Sequence, residues 1–155
     1  MYEGFLHLHS VLRWIILLLL LIAFYRSIAD RNKPFSAGHK RLGLFLLISV
    51  DIELLIGIYQ WIVGDLGLKS IQRNGWSAVM KDAGSRFYAI EHATGMLIAI
   101  ILIHMGYSYS KKNVPDERKH KRIRLLYGLA LLIILVCIPW PFRAVGANRH
   151  WFPGL

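Results

Sequence analysis

The chain has 155 residues, 55% of them hydrophobic, with a mean hydropathy of +0.45 and a formal net charge of +10. That length leaves room for one domain, and that apolarity excludes an ordinary soluble one. The positive charge is not a nucleic-acid footprint either: it concentrates in two connections between apolar runs, where membrane topology and anionic headgroups account for it.

Four apolar runs set the organisation, residues 5–26, 41–63, 86–109 and 123–140. Each is near the ~20 residues that carry a helix across a ~30 Å hydrocarbon core. In lipid only helices or closed barrels satisfy their backbone polar groups. The expectation is an all-α integral membrane protein, a single domain over 1–155 folded as an up-down four-helix bundle. The first run has no basic start, and Arg26, Arg31 and Lys33 follow it in place of a small-residue cleavage site. It therefore reads as a helix and not as a secretory signal.

The connections fit this order. "ADRNKPFSAG" (29–38) and "KKNVPDERKHK" (111–121) bring the Asn, Pro and Gly that break helices. The segment 64–85 is longer and is expected to carry a short interfacial helix around "GWSAVMKDA", with Trp76 at headgroup level. The Pro-, Gly- and aromatic-rich end (141–155) reads as an external, interface-lying tail.

Charge orients the bundle. Arg26, Arg31, Lys33, Lys40 and Arg41 fall in the first loop, and Lys111, Lys112, Arg118, Lys119, Lys121, Arg122 and Arg124 in the third: twelve of the 19 basic residues. The other side holds Lys69, Arg73, Lys81, Arg86, Arg143 and Arg149. The positive-inside rule then puts loops one and three in the cytoplasm and both termini in the periplasm, as expected of a bacterial inner-membrane protein.

Cys137 is the lone cysteine, which excludes a disulfide and covalent haem attachment through CxxCH. No GxSxG, HExxH, Gly-rich phosphate loop or dinucleotide fingerprint is present. Soluble-enzyme chemistry has no foothold, and the chain reads as a carrier or accessory subunit more readily than as an enzyme. What remains is polar groups inside the spans. The first carries His7, His9 and Arg13, the second Asp51 and Glu53 with Gln60 further out, the third Glu91, His92 and His104. The fourth has no Asp, Glu, His, Lys or Arg from Leu125 to Pro139. Each buried charge costs about 2.5–3.5 kcal/mol on insertion scales, so a partnered interior site is the default reading.

Depth arithmetic at 1.5 Å per residue lets His9, Arg13, Asp51, Glu53, Glu91 and His92 converge in the outer half of the bundle. Arg13 is expected to pair with Glu53 or Glu91. Two histidines at similar depth on facing helices are what a bis-imidazole b-type haem requires. His9, with His7 as substitute, and His92 are the candidate iron ligands, and Arg13 is a partner for a haem propionate or an acid. Gly95 and Ala99 continue the face of His92 and would leave room for a flat macrocycle. The alternative keeps His7 and His9 as interfacial residues and has His92 bond a neighbour. His104 lies about 120° round the helix from His92; its meeting with His39 at the cytoplasmic boundary stays open.

"HSVLRW" (9–14), "MKDAGSRFYAIEH" (80–92), "KKNVPDERKHK" (111–121) and "IPWPFR" (138–143) resemble a family of small four-helix membrane proteins from Bacteroidetes labelled cytochrome b-like. The resemblance covers nearly the whole chain and implies a haem b. His9, Arg13, Glu91 and His92 match the family pattern. Asp51 and Glu53 depart from it, standing where the family has histidine and glutamine, and His104 matches nothing in it. His9 and His92 are then the family-matched pair. Three readings follow: a b-type cytochrome binding one haem between the first and third spans for electron transfer; a cofactor-free accessory subunit of a larger, respiratory-type inner-membrane complex with membrane-protein partners; or an intramembrane proton or quinone site using Asp51, Glu53 and Glu91.

Overall fold

In a computed structural model, which describes residues 2–146 and Trp151, the described chain is helical and contains no strand. α1 spans Tyr2–Ala29 and α2 spans Ala37–Val63. Three short helices follow: α3 (Leu68–Asn74), α4 (Trp76–Lys81) and α5 (Ala83–Arg86). A π-helical stretch at Phe87–Glu91 leads into α6, His92–Ser110, and α7 runs from Asp116 to Cys137. A 3₁₀ turn at Ala144–Gly146 comes next. Residues 147–150 and 152–155, with Arg149 and most of the expected tail, lie outside the described residues.

Three of these helical segments are long and apolar enough to cross a membrane: Tyr2–Ala29, Ala37–Asn74 and Ala83–Ser110. Their outward faces match that reading, since Leu18, Leu21, Phe45, Leu55 and Ile101 stand exposed where a soluble protein would bury them. α7 is different. Its first turns carry Asp116, Glu117, Arg118, Lys119, Lys121, Arg122 and Arg124, and the helix ends two residues before Pro139. Its charge-free part, Leu125–Cys137, is about 20 Å long, shorter than the expected span 123–140. The loop after α2 is more helical than the expected single interfacial helix: Gly67, Gly75 and Asp82 separate three short ones, and Asp82 caps the last by accepting from the Ser85 N–H at 2.7 Å.

α1 packs on α2 and α7, and α6 packs on the same two, so α1 and α6 face each other across the middle. Leu20, Leu46, Ile103 and Ala130, one from each long helix, are completely buried in a shared core. The α6–α7 contact is close because α6 presents Gly95, Ala99 and Gly106 along one stripe. A Cβ on Gly106 would meet the buried Tyr127 ring, with Cδ1 at 2.9 Å. Gly106→Ala is therefore expected to destabilise the protein by about 1–3 kcal/mol, read as a lower Tm in detergent.

At the basic end the α1–α2 turn is tied down by polar contacts. Asp30 accepts from Lys33 at 2.9 Å and Arg26 at 3.3 Å, and lies 3.1 Å from His39 Nε2. Phe35 donates its backbone N–H to Asp116 at 3.0 Å, and its ring lies 4.9 Å from that of His39 and 5.0 Å from that of His120. The Lys33 hydrogen bond is the main reason the Asp30 carboxyl falls from 3.8 to about 2. A depressed carboxyl stabilises the fold above its ordinary value, and that contribution disappears as pH falls from about 4 toward 2. Asp30→Asn should flatten that part of a Tm-against-pH curve.

Candidate functional site

The half of the molecule away from the α1–α2 turn brings together His9, Glu53 and His92. On α2, Leu46, Val50 and Ile56 mark the buried stripe, and Glu53 falls on it, leaving its side chain only 14% exposed. Its Oε1 lies 3.2 Å from His9 Nδ1, while Oε2 is buried and has no hydrogen-bond partner among the described residues. Gly57, one turn along, lies under the His9 ring: a Cβ there would stand 3.8 Å from its Cε1. Across the middle, the His92 ring centre is 6.3 Å from that of His9, with the planes inclined at 66°.

His92 owes its position to two features of the chain. The π-helical stretch before it widens the turn and shifts the register of everything that follows; Trp61 Nε1 donates to the Ala89 carbonyl inside it at 2.9 Å. The second feature is the end of α7. A helix stopped by Pro139 leaves its last carbonyls without helical donors, and side chains supply them. Trp140 Nε1 donates to the Leu135 carbonyl at 2.8 Å, Arg143 to those of Val136 and Ile138, and His92 Nδ1 meets the Cys137 carbonyl at 2.8 Å. The "IPWPFR" segment is thus a capping device, and α7 contributes a backbone oxygen to the site although it brings no ionisable side chain.

His92 Nδ1 is hydrogen-bonded to a backbone carbonyl, whereas His9 Nδ1 lies 3.2 Å from Glu53 Oε1 as a close ion-pair contact and not as a hydrogen bond. For His92, donation from Nδ1–H leaves Nε2 as the acceptor nitrogen, an assignment that follows from the hydrogen-bond network. Histidines that bind metals are oriented in this way, with the far ring nitrogen donating to a carboxylate or a backbone carbonyl. Among the described residues no group of three or more His, Cys, Asp or Glu could hold a metal ion, so the chemistry open to this place is that of two opposed imidazoles and one acid.

The remaining expected members are placed elsewhere. Glu91 turns outward, and its Oε1 takes the Arg86 Nε–H at 2.6 Å. Asp51, about 200° round α2 from Glu53, points away from the middle and pairs with His104 at 2.8 Å. His104 therefore meets Asp51 and not His39, whose partners are Asp30 and Ser36. His7 lies on the exposed side of α1, about 200° from His9. Arg13 stands beyond ion-pair distance of Glu53 and Glu91, though its charge acts on the Glu53 carboxylate; its Nη2 donates to the Trp151 carbonyl at 3.3 Å, beside Trp14, whose Nε1 donates to the same oxygen at 3.1 Å. Gly95 does not open room for a macrocycle beside His92, because Cys137 and Ile133 of α7 fill that side.

No family model, no curated protein and no solved structure matches the chain.

Proposed function

We propose that the protein is a membrane b-type cytochrome-like carrier: a four-helix bundle of the bacterial inner membrane, both termini periplasmic, binding one haem between α1 and α6 through His9 and His92. One observation carries the reading, the His9 and His92 rings side by side across the middle, with His92 Nδ1 held by the Cys137 carbonyl and His9 Nδ1 beside Glu53. The two ring centres are 6.3 Å apart, a separation at which one metal ion could be held by both imidazoles. The resemblance of "HSVLRW" and "MKDAGSRFYAIEH" to cytochrome b-like chains supports the same pair.

A bound haem would supply one-electron exchange without covalent attachment. The chain's own contribution is orientation and charge. The Cys137 carbonyl holds the His92 tautomer, and Glu53 brings a carboxylate oxygen to 3.2 Å from His9 Nδ1. Arg13, on α1 one turn beyond His9, has the charge to hold a propionate. A site in the outer half suits exchange with a periplasmic or membrane-embedded partner.

Protein purified from its native membrane should show a Soret band and, when reduced, a sharp α-band. Absence of both would overturn the haem and leave the accessory-subunit reading, with His9, Glu53 and His92 as packing contacts. The orientation has its own test: a cysteine at Asn113 should be labelled from the cytoplasmic side only, and periplasmic labelling would reverse it.

A further inference from the structure

Asp51 and His104 form a bonded pair on the outside of the molecule. Their side chains are 46% and 45% exposed, on α2 and α6, two helices long and apolar enough to cross a membrane. His104 lies six residues, about 9 Å, from the C-terminal end of α6, and Asp51 is near the centre of α2. The stripe around them is apolar and exposed: Leu44, Ile48 and Leu55 on α2, Leu97 and Ile101 on α6. Ionisable groups at such depth face protein or water, because lipid tails offer them nothing. Yet none of the described residues covers this pair.

The hydrogen-bond inventory says what would cover it. Asp51 Oδ1 and His104 Nε2 satisfy each other, which leaves Asp51 Oδ2 and His104 Nδ1 without partners among the described residues. With His104 as the imidazolium against the Asp51 carboxylate, both ring nitrogens carry a proton, and one acceptor and one donor remain. We propose that this face is the contact with a second copy of the same chain, the two related by a two-fold axis along the membrane normal. Such an axis keeps depth unchanged, so the pair of one copy arrives at the level of the other's. Nδ1–H of each His104 then donates to Oδ2 of the other copy's Asp51, closing a ring of four side chains with every donor and acceptor used. An unrelated helix would have to present a donor and an acceptor at the same depth; a second copy does so by symmetry. Exposed Leu and Ile around the ring complete a self-complementary surface.

The proposal is independent of any haem, because Asp51 and His104 point away from His9 and His92. Native mass spectrometry in mild detergent should find a dimer. The double variant Asp51→Leu/His104→Leu replaces both polar groups with apolar ones, so it should fold with an undiminished Tm and dissociate at a concentration about tenfold higher or more. Leu55→Cys in native membranes should form a disulfide-linked dimer. Tyr25→Cys, exposed on α1, and the unsubstituted chain, whose lone Cys137 packs on Gly95, should not. A monomeric wild type, a double variant that dimerises as well as wild type, or a Leu55→Cys that captures only a different protein would each overturn it.

Discussion

Replacing His92 by alanine is expected to abolish haem binding outright and to lower the Tm of the remaining bundle. The first effect follows from removing one of two axial nitrogens. The second follows from the cap: His92 Nδ1 satisfies the Cys137 carbonyl at the Pro-terminated end of α7, and a helix carbonyl left without its donor costs about 1–3 kcal/mol. His9→Ala should share the first effect and not the second, because the Cys137 carbonyl is held by His92. His7→Ala should change neither, since His7 stands on the exposed side of α1. Pyridine haemochrome quantitation and thermal unfolding of the three variants read both effects together. Haem retained in His92→Ala would remove His92 as a ligand.

Glu53→Leu separates the site from the scaffold. Loss of a partner that orients a metal-binding histidine lowers affinity about 10–100-fold, so haem titration of the apo-protein should weaken by that much. The apo bundle itself should not lose stability. Leucine removes a buried acid whose Oε2 has no partner among the described residues and returns an apolar group to the buried stripe of α2. Glu53→Gln keeps an acceptor for His9 Nδ1 without the charge and should fall between the two in affinity. A Glu53→Leu protein with unchanged haem affinity would show that the His9–Glu53 contact only packs the helices.

The long helices were legible as runs of about 20 apolar residues, longer than the strands of a closed barrel, the other way to satisfy a backbone in lipid. Boundaries drifted where a signal acts at a distance. α7 stops at Cys137 because proline bars helix at the residue before it and cannot donate at its own position. The π-helical stretch at Phe87–Glu91 has no residue signature, since "FYAIE" would sit equally well in an α-helix, and so its shift of register before His92 was hidden.

Depth alone groups Asp51 with Glu53, yet two residues on a helix lie about 200° apart, and the wheel sends one inward and the other out. That signal was present in the spacing of Leu46, Val50, Glu53 and Ile56. Depth likewise offers Glu91 to Arg13, but Arg86 lies within reach on the same strand of helix and takes the acid at 2.6 Å. The capping role of "IPWPFR" and the Cys137 carbonyl was not legible, because a backbone oxygen has no letter in the sequence.

The most direct test of the central claim is electron paramagnetic resonance of the oxidised protein in its native membrane. Two imidazole ligands predict a low-spin ferric signal, lost in both His9→Ala and His92→Ala. A high-spin signal in the wild type, no haem signal at all, or a low-spin signal that survives either substitution would contradict a haem held between these two histidines.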